Sequence, residues 1–138
     1  MDMTKLTNHQ IRLAARPVGL PGPECWESTQ EPVRAPAEGQ VLVQVLALSL
    51  DPAMRGWMND RRSYIPPVGI GEVMRAVGIG RVIASENPAF PVESLVTGAT
   101  GVQEYCLVPQ DQIRRIGLTP IDARLGSISQ WLNVLGMP

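Results

Sequence analysis

Metal-ligating side chains are scarce in this chain. His9 is the only histidine, and Cys25 and Cys106 are the only cysteines. Three such residues, widely separated, do not make the usual three- or four-ligand zinc site, so no metal is expected. Ser-His-Asp catalysis would have to use His9, which sits near the N-terminus and reads as a solvated polar residue. No G-x-G-x-x-G stands between a strand and a helix, and there is no Walker-type loop. Gly69-Ile70-Gly71 and Gly78-Ile79-Gly80 are isolated pairs, of the kind found in turns and strands. Lysine is nearly missing too: Lys5 is the only one, and the other basic residues are arginines. With a formal net charge of −1 and no basic stripe, a nucleic-acid partner is not expected. No run of about 18 apolar residues is present, so no membrane span is expected. The polar start, MDMTKLTNHQ, is unlike a signal peptide. The expected location is therefore the cytoplasm, with both cysteines as reduced thiols.

Apolar material is plentiful at 44%, while aromatics are few, so the core must be built from Val, Leu, Ile and Ala. Thirteen glycines and thirteen prolines separate short apolar runs, which is the pattern of strands joined by turns. Ile11, Leu13 and Ala15 alternate with Arg12, Ala14 and Arg16 as a half-buried first strand. Residues 17–23 (PVGLPGP) form a loop, after which residues 25–30 resume in extended form. Residues 41–50 (VLVQVLALSL) are apolar on both alternating faces and predict a strand covered on both sides. A buried helix competes there, but Val41, Val43 and Val45 favour the strand. Asp51-Pro52 ends it, and residues 53–75 are expected to be irregular. Further strands are expected at 76–84, 95–98, 102–108 and 113–116. Gly78 and Gly80 share one face of their strand, which suggests a bend or a close backbone approach.

The tail changes period. Ile121, Leu125, Ile128, Leu132 and Leu135 recur at steps of three and four and predict a helix. Thr119 is its expected cap, with Pro120 in the first turn and Asp122 near the positive end of the dipole. Residues 1–120 thus read as one domain and 121–138 as a helix leading out of it. Trp131 and Val134 fall off the stripe, which predicts exposed apolar area and either self-association through residues 121–138 or fraying of that tail. In the opposing expectation, Trp131 folds back onto the barrel.

Several segments in order resemble one family. They are NHQIRLAARPVGLP (8–21), EGQVLVQVLALSLDPAMRG (38–56), YIPPVGIGEVMRAVGIGRVIAS (64–85), GVQEYCLVP (101–109) and VLGMP (134–138). Together they resemble the leukotriene B4 12-hydroxydehydrogenase, or prostaglandin reductase, branch of the medium-chain dehydrogenase/reductases. Within it they are most similar to curcumin reductase-like NADP-dependent oxidoreductases. The resemblance implies a mainly β, GroES-like, partly open barrel with a C-terminal helix. In the family a Rossmann domain follows and binds NADPH. The implied activity is zinc-independent reduction of the carbon–carbon double bond of α,β-unsaturated aldehydes and ketones.

On that resemblance Pro52, Ala53 and Met137 lie beside the cofactor, and Met54, Arg55 and Tyr64 beside the substrate. Arg55 is the candidate to hold a phosphate or a substrate carboxylate. The alternative is an Arg55 paired with Asp51 or Glu72 to pin the loop. Asp51 reads as a turn or cap residue, and core packing is an equal alternative for Met54 and Met137. The chain departs from the family at Ala53, usually tyrosine, at Val102, usually tryptophan, and at Glu93-Ser94, usually Gly-Asp. The family's cofactor domain and catalytic tyrosine lie beyond the last residue. The catalytic residues are therefore unknown, and no NADPH is expected to bind this stretch tightly. The stretch alone is expected not to reduce enones. The competing reading is a non-enzymatic, truncated β-barrel module acting in protein interaction.

Overall fold

The computed structural model describes residues 2–132. Its strands are β1 (Thr7–Leu13), β2 (Trp26–Pro32), β3 (Val41–Leu48), β4 (Gly78–Ser85), β5 (Leu95–Gly98), β6 (Tyr105–Val108) and β7 (Thr119–Pro120). Two short helices, α1 (Ala53–Trp57) and α2 (Ile128–Leu132), interrupt them. β1 and β2 form an antiparallel pair, and the other strands form an antiparallel sheet in the order β6-β3-β4-β5-β7.

β1 joins the two sheets into a partly open barrel, the expected fold class. Along the edge of β1 that faces away from β2, Leu13 N–H donates to the Glu72 carbonyl and Met74 N–H to that of Ile11. Further along the same edge, Ile11 N–H donates to the Val102 carbonyl and Glu104 N–H to that of His9. Two buried amides complete this seam. Asn8 Oδ1 accepts from Glu104 N–H and Tyr105 N–H at 3.1 and 3.0 Å, while its Nδ2 donates to Gln103 Oε1 at 3.0 Å. Gln10 Nε2 donates to the same Gln103 oxygen and to Glu31 Oε1. Amides can be buried this deeply only because they are bonded.

The apolar residues divide into two clusters. Alternation along the large sheet sends Val41, Val43, Val82, Val96 and Val108 to one face, where Phe90, Cys106 and Leu118 close the core. Each valine so buried contributes about 1.5–3 kcal/mol. Burial also pushes the Cys106 thiol up to about 11, so it packs as a neutral small hydrophobe. The second cluster is Leu13, Cys25, Met58, Val68 and Met74, with Met54, Trp57 and Val102 packed against it. Cys25 and Cys106 are both free and buried, as two reduced thiols were expected to be. The glycine pair in β4 does mark a close approach: a Cβ on Gly80 would lie 2.5 Å from the Gln44 carbonyl oxygen of β3.

Three expectations fail locally. Residues 113–116 are not a strand but a run of turns following the 3-10 turn Gln110–Gln112, where Gly117 with φ 67° reverses the chain. Residues 53–75 are not wholly irregular, because α1 begins directly after Pro52. The helix foreseen from Ile121 is, among the described residues, only Ile128–Leu132. Thr119 does not cap it but pairs with Thr97 in the sheet, and Leu125 is 66% exposed. Tertiary pairing with β5 wins here over a helical stripe that Gly126 already weakens. Leu135, Val134 and Met137 lie outside the described residues.

Candidate functional site

The chain leaves β3 through Ser49, Leu50 and Asp51 and enters α1 at once. Ala53 N–H donates to Asp51 Oδ1 at 2.7 Å, so Asp51 is the turn residue it was expected to be. Ser49 N–H donates to the Val77 carbonyl, tying this exit to the strand beside it.

Beside this exit lies an open cleft of about 730 Å³. Its floor is Ile11, Met58, Met74 and Val102, and its walls are the 19–21 loop, Trp26, Leu50 and the first turn of α1. Leu20 and Leu50 stand 92% and 83% exposed at its mouth. A concave, mostly apolar surface with few polar groups is the usual form of a small-molecule site. Its charged members are Asp51 and Arg55.

Arg55 spends its donors on structure. Its Nε and Nη2 donate to the Gly19 carbonyl at 3.1 and 3.0 Å, and Nη2 also reaches the Pro17 carbonyl at 3.3 Å. Its Nη1 donates to Asn59 Oδ1 at 2.7 Å. It thus pins the loop, but through backbone carbonyls and Asn59 rather than through Asp51 or Glu72.

The structure brings some of the expected site residues together and not others. Met54 and Arg55 line the cleft. Pro52 and Ala53 are exposed at the start of α1, outside the lining. Tyr64 is 77% exposed and also outside it, its hydroxyl accepting from Trp57 Nε1 at 3.0 Å. Met137 lies outside the described residues. Sequence reasoning missed Leu20 and Pro21 as a wall, and Ile11, Met58 and Met74 as a floor. A leucine set between glycine and proline in PVGLPGP was the available signal for the wall. The floor carried none, since it joins residues far apart in the chain.

A second, smaller cleft of about 360 Å³ opens on the other side of the β3 exit, from Ser49 and Val77 to Trp131 and Leu132. Trp131 lies half-buried along it and donates Nε1–H to the Asp122 carbonyl at 3.1 Å. This is the folded-back arrangement, not the exposed one.

Dinucleotide phosphates need a cradle of backbone N–H groups, usually at a helix N-terminus. The glycine pairs do not offer one. Gly69 and Gly71 sit in a turn against β1, and Gly78 and Gly80 are packed under β3 and Thr100. Among the described residues no three His, Cys, Asp or Glu side chains are grouped to hold a metal ion, and no helix is long and apolar enough to cross a membrane.

Among the described residues, then, the chain is a mainly β barrel with a large apolar cleft beside the β3 exit. Residues 9–116 match the family described as the N-terminal domain of oxidoreductase, and the chain belongs to it. Its lineage is the zinc-independent, NADP-dependent branch of the medium-chain dehydrogenase/reductases. It is 41% identical over its whole length to the NADPH-dependent curcumin reductase of Escherichia coli K12, covering 39% of that protein. It is 30% identical to the NADP(+)-dependent 2-alkenal reductase of Nicotiana tabacum, over 97% of this chain and 39% of that one. The crystal structure of CurA from Vibrio vulnificus superposes with a TM-score of 0.83 at 39% identity, over 94% of this chain and 37% of the other. The same protein in complex with NADPH gives 0.81. The chain spans about two fifths of the length of such relatives.

Proposed function

We propose that this chain is the substrate-side portion of an NADPH-dependent reductase acting on the carbon–carbon double bond of α,β-unsaturated aldehydes or ketones. The observation that carries this reading is the 730 Å³ apolar cleft at the β3 exit, in a chain whose relatives include a 2-alkenal reductase and a curcumin reductase. A cofactor bound beside the cleft would supply the hydride. The chain's own residues would hold the apolar part of the enone on Met54, Met58 and Met74 and exclude water there. Pro52 and Ala53 would border the nicotinamide, Tyr64 the outer end of a long substrate. Arg55 acts as a positioning residue, because its donors are committed to the 17–19 loop and to Asn59. Arg55 is then not free to meet the charge that develops on the substrate oxygen.

On this reading residues 1–138 alone are inactive. The test replaces the matching N-terminal stretch of the E. coli curcumin reductase with this chain and follows NADPH oxidation with 3-nonen-2-one. We expect turnover by the chimera and none by the chain alone. A folded chimera that binds NADPH without turning over would refute the reading and favour a non-enzymatic module. Turnover by the chain alone, at the rate of an intact reductase, would refute the division of labour. Association of copies through residues 121–138 loses its Trp131 premise, since that side chain is folded back, and rests on exposed Leu125 alone. Sedimentation of the isolated chain as a strict monomer would remove it.

A further inference from the structure

Two arginines clasp one wall of the apolar cleft from opposite directions. Arg55 reaches from α1 to the loop, donating from Nε and Nη2 to the Gly19 carbonyl and from Nη2 to that of Pro17. Arg16 reaches from the start of the loop back towards α1. Its Nη1 donates to the Met58 carbonyl at 2.9 Å and to the Val68 carbonyl at 2.7 Å. Met58 is the residue that ends α1. Bonds from a charged donor are roughly twice as strong as neutral ones, and these run both ways between the same two segments. Residues 16–19 and α1 are thus one braced unit.

Leu20 is the next residue along. It precedes Pro21, whose ring disfavours the helical region for the residue before it. Its side chain lines the cleft and is 92% exposed. Val18, earlier on the same loop, is as exposed but lies outside the lining. A leucine on a slack loop folds inward and covers itself. This one is held out in water at the mouth of a concave apolar surface, where its area is covered only when something enters. Leu50, at the β3 exit, is exposed in the same lining. A volume of about 730 Å³ fits a drug-sized body better than a small enal.

We propose that Leu20 is a specificity-determining residue of the cleft. It covers the apolar arm of an extended enone and so selects long-chain substrates over short ones. Arg55 and Arg16 are positioning residues that hold it there. This role rests on the reductase reading, which supplies the enone.

The test compares 3-nonen-2-one with the shorter 3-penten-2-one in the chimera with the E. coli curcumin reductase. Leu20→Ser is expected to lower kcat/KM for the long ketone about tenfold relative to the short one, chiefly through KM, the scale of one leucine leaving an apolar contact. Val18→Ser is expected to leave that ratio unchanged. Arg55→Gln is expected to lower it as Leu20→Ser does, and the two together no further, since Arg55 acts through Leu20. Arg55→Lys, which lacks the planar fork, should restore it only in part. Leu20→Ser, at an exposed position, decides the matter if Arg55→Gln does not fold. Three results would overturn the proposal: an equal loss for both ketones in Leu20→Ser, an effect of Val18→Ser as large, or additive effects of Arg55→Gln and Leu20→Ser. The 138-residue chain offers a second measurement that needs no turnover. It is titrated with the saturated ketones 2-nonanone and 2-pentanone and followed by tryptophan fluorescence, to which Trp26 in the cleft wall contributes. Tighter binding of the longer ketone is expected, with most of that preference lost in Leu20→Ser. Such a preference in the chain beside a chimera without turnover would remove the reductase reading and leave Leu20 its role in selecting an apolar arm. A preference that is absent, or that survives whole in Leu20→Ser, would remove that role whatever the chimera does.

Discussion

The two apolar clusters lie a few strands apart and are made of different materials. Under the large sheet the buried side chains are chiefly valines, each with one stiff torsion and a fixed register partner. Under the cleft they are Met58 and Met74, with Met54 packed beside them and Leu13 and Cys25 behind. Thioether side chains are flexible and polarisable, and they refit around whatever lies against them. The valine core thus holds the β3 exit in place, and the methionine floor forms the adaptable surface a ligand would meet. On the proposed function, one cluster answers for stability and the other for recognition.

That contrast is broken most severely at Gly80. Its missing Cβ leaves room for the Gln44 carbonyl and the Val43 side chain, and backbone cannot step aside as a flexible side chain can. Gly80→Ala is expected to destabilise the chain by about 3 kcal/mol or more, read from denaturant unfolding. A cost below about 1 kcal/mol would mean that the valine sheet is as accommodating as the cleft floor.

The matching change in the other cluster is Met74→Leu, a swap of similar volume at a fully buried site. It is expected to cost less than about 1.5 kcal/mol. Because Met74 forms part of the cleft floor, the chimera carrying it should keep kcat for 3-nonen-2-one and change KM. A larger stability loss than Gly80→Ala would reverse the assignment of roles.

The same contrast explains what could be read from the sequence. The valine sheet was legible because period-two alternation at Val41, Val43 and Val45 is a local signal. So was the Asp51-Pro52 break that turns the chain into α1. The cleft floor was not, since Ile11, Met74 and Val102 meet through the backbone bonds of β1 to the 71–74 and 102–104 segments, and Met58 joins them from the end of α1. The tail misled for the opposite reason. Its apolar period is real, but Thr119 and Pro120 gain sheet partners on β5, and Ile121 N–H donates to the Leu95 carbonyl. Arg55 lines the cleft with partners other than Asp51 or Glu72, because carbonyl acceptors such as those of Pro17 and Gly19 leave no trace in residue type.

The smallest effect sharpens the comparison at the rim of the valine core. The turn from β4 to β5 passes through Glu93, the one non-glycine among the described residues in the left-handed region, at φ 74°. The turn is held from both sides: Glu93 N–H donates to the Val82 carbonyl at 2.8 Å, and Val82 N–H to that of Ser94 at 2.9 Å. The resembling family usually has glycine here. A side chain in this conformation costs roughly 1–2 kcal/mol, whereas glycine adopts it freely but gives back about 0.5–1 kcal/mol in unfolded-state entropy. The ion pair lost with the carboxylate, 3.8 Å from Arg81 Nε between exposed side chains, contributes little. Glu93→Gly is therefore expected to stabilise the chain by about 0.5–1 kcal/mol. Glu93→Asn should gain less, since asparagine tolerates the region only in part. Thermal unfolding of the two variants beside the parent checks the order. If both are neutral or destabilising, the Val82 bonds hold a turn that carries no strain, and the valine core imposes less on its surroundings than its packing implies.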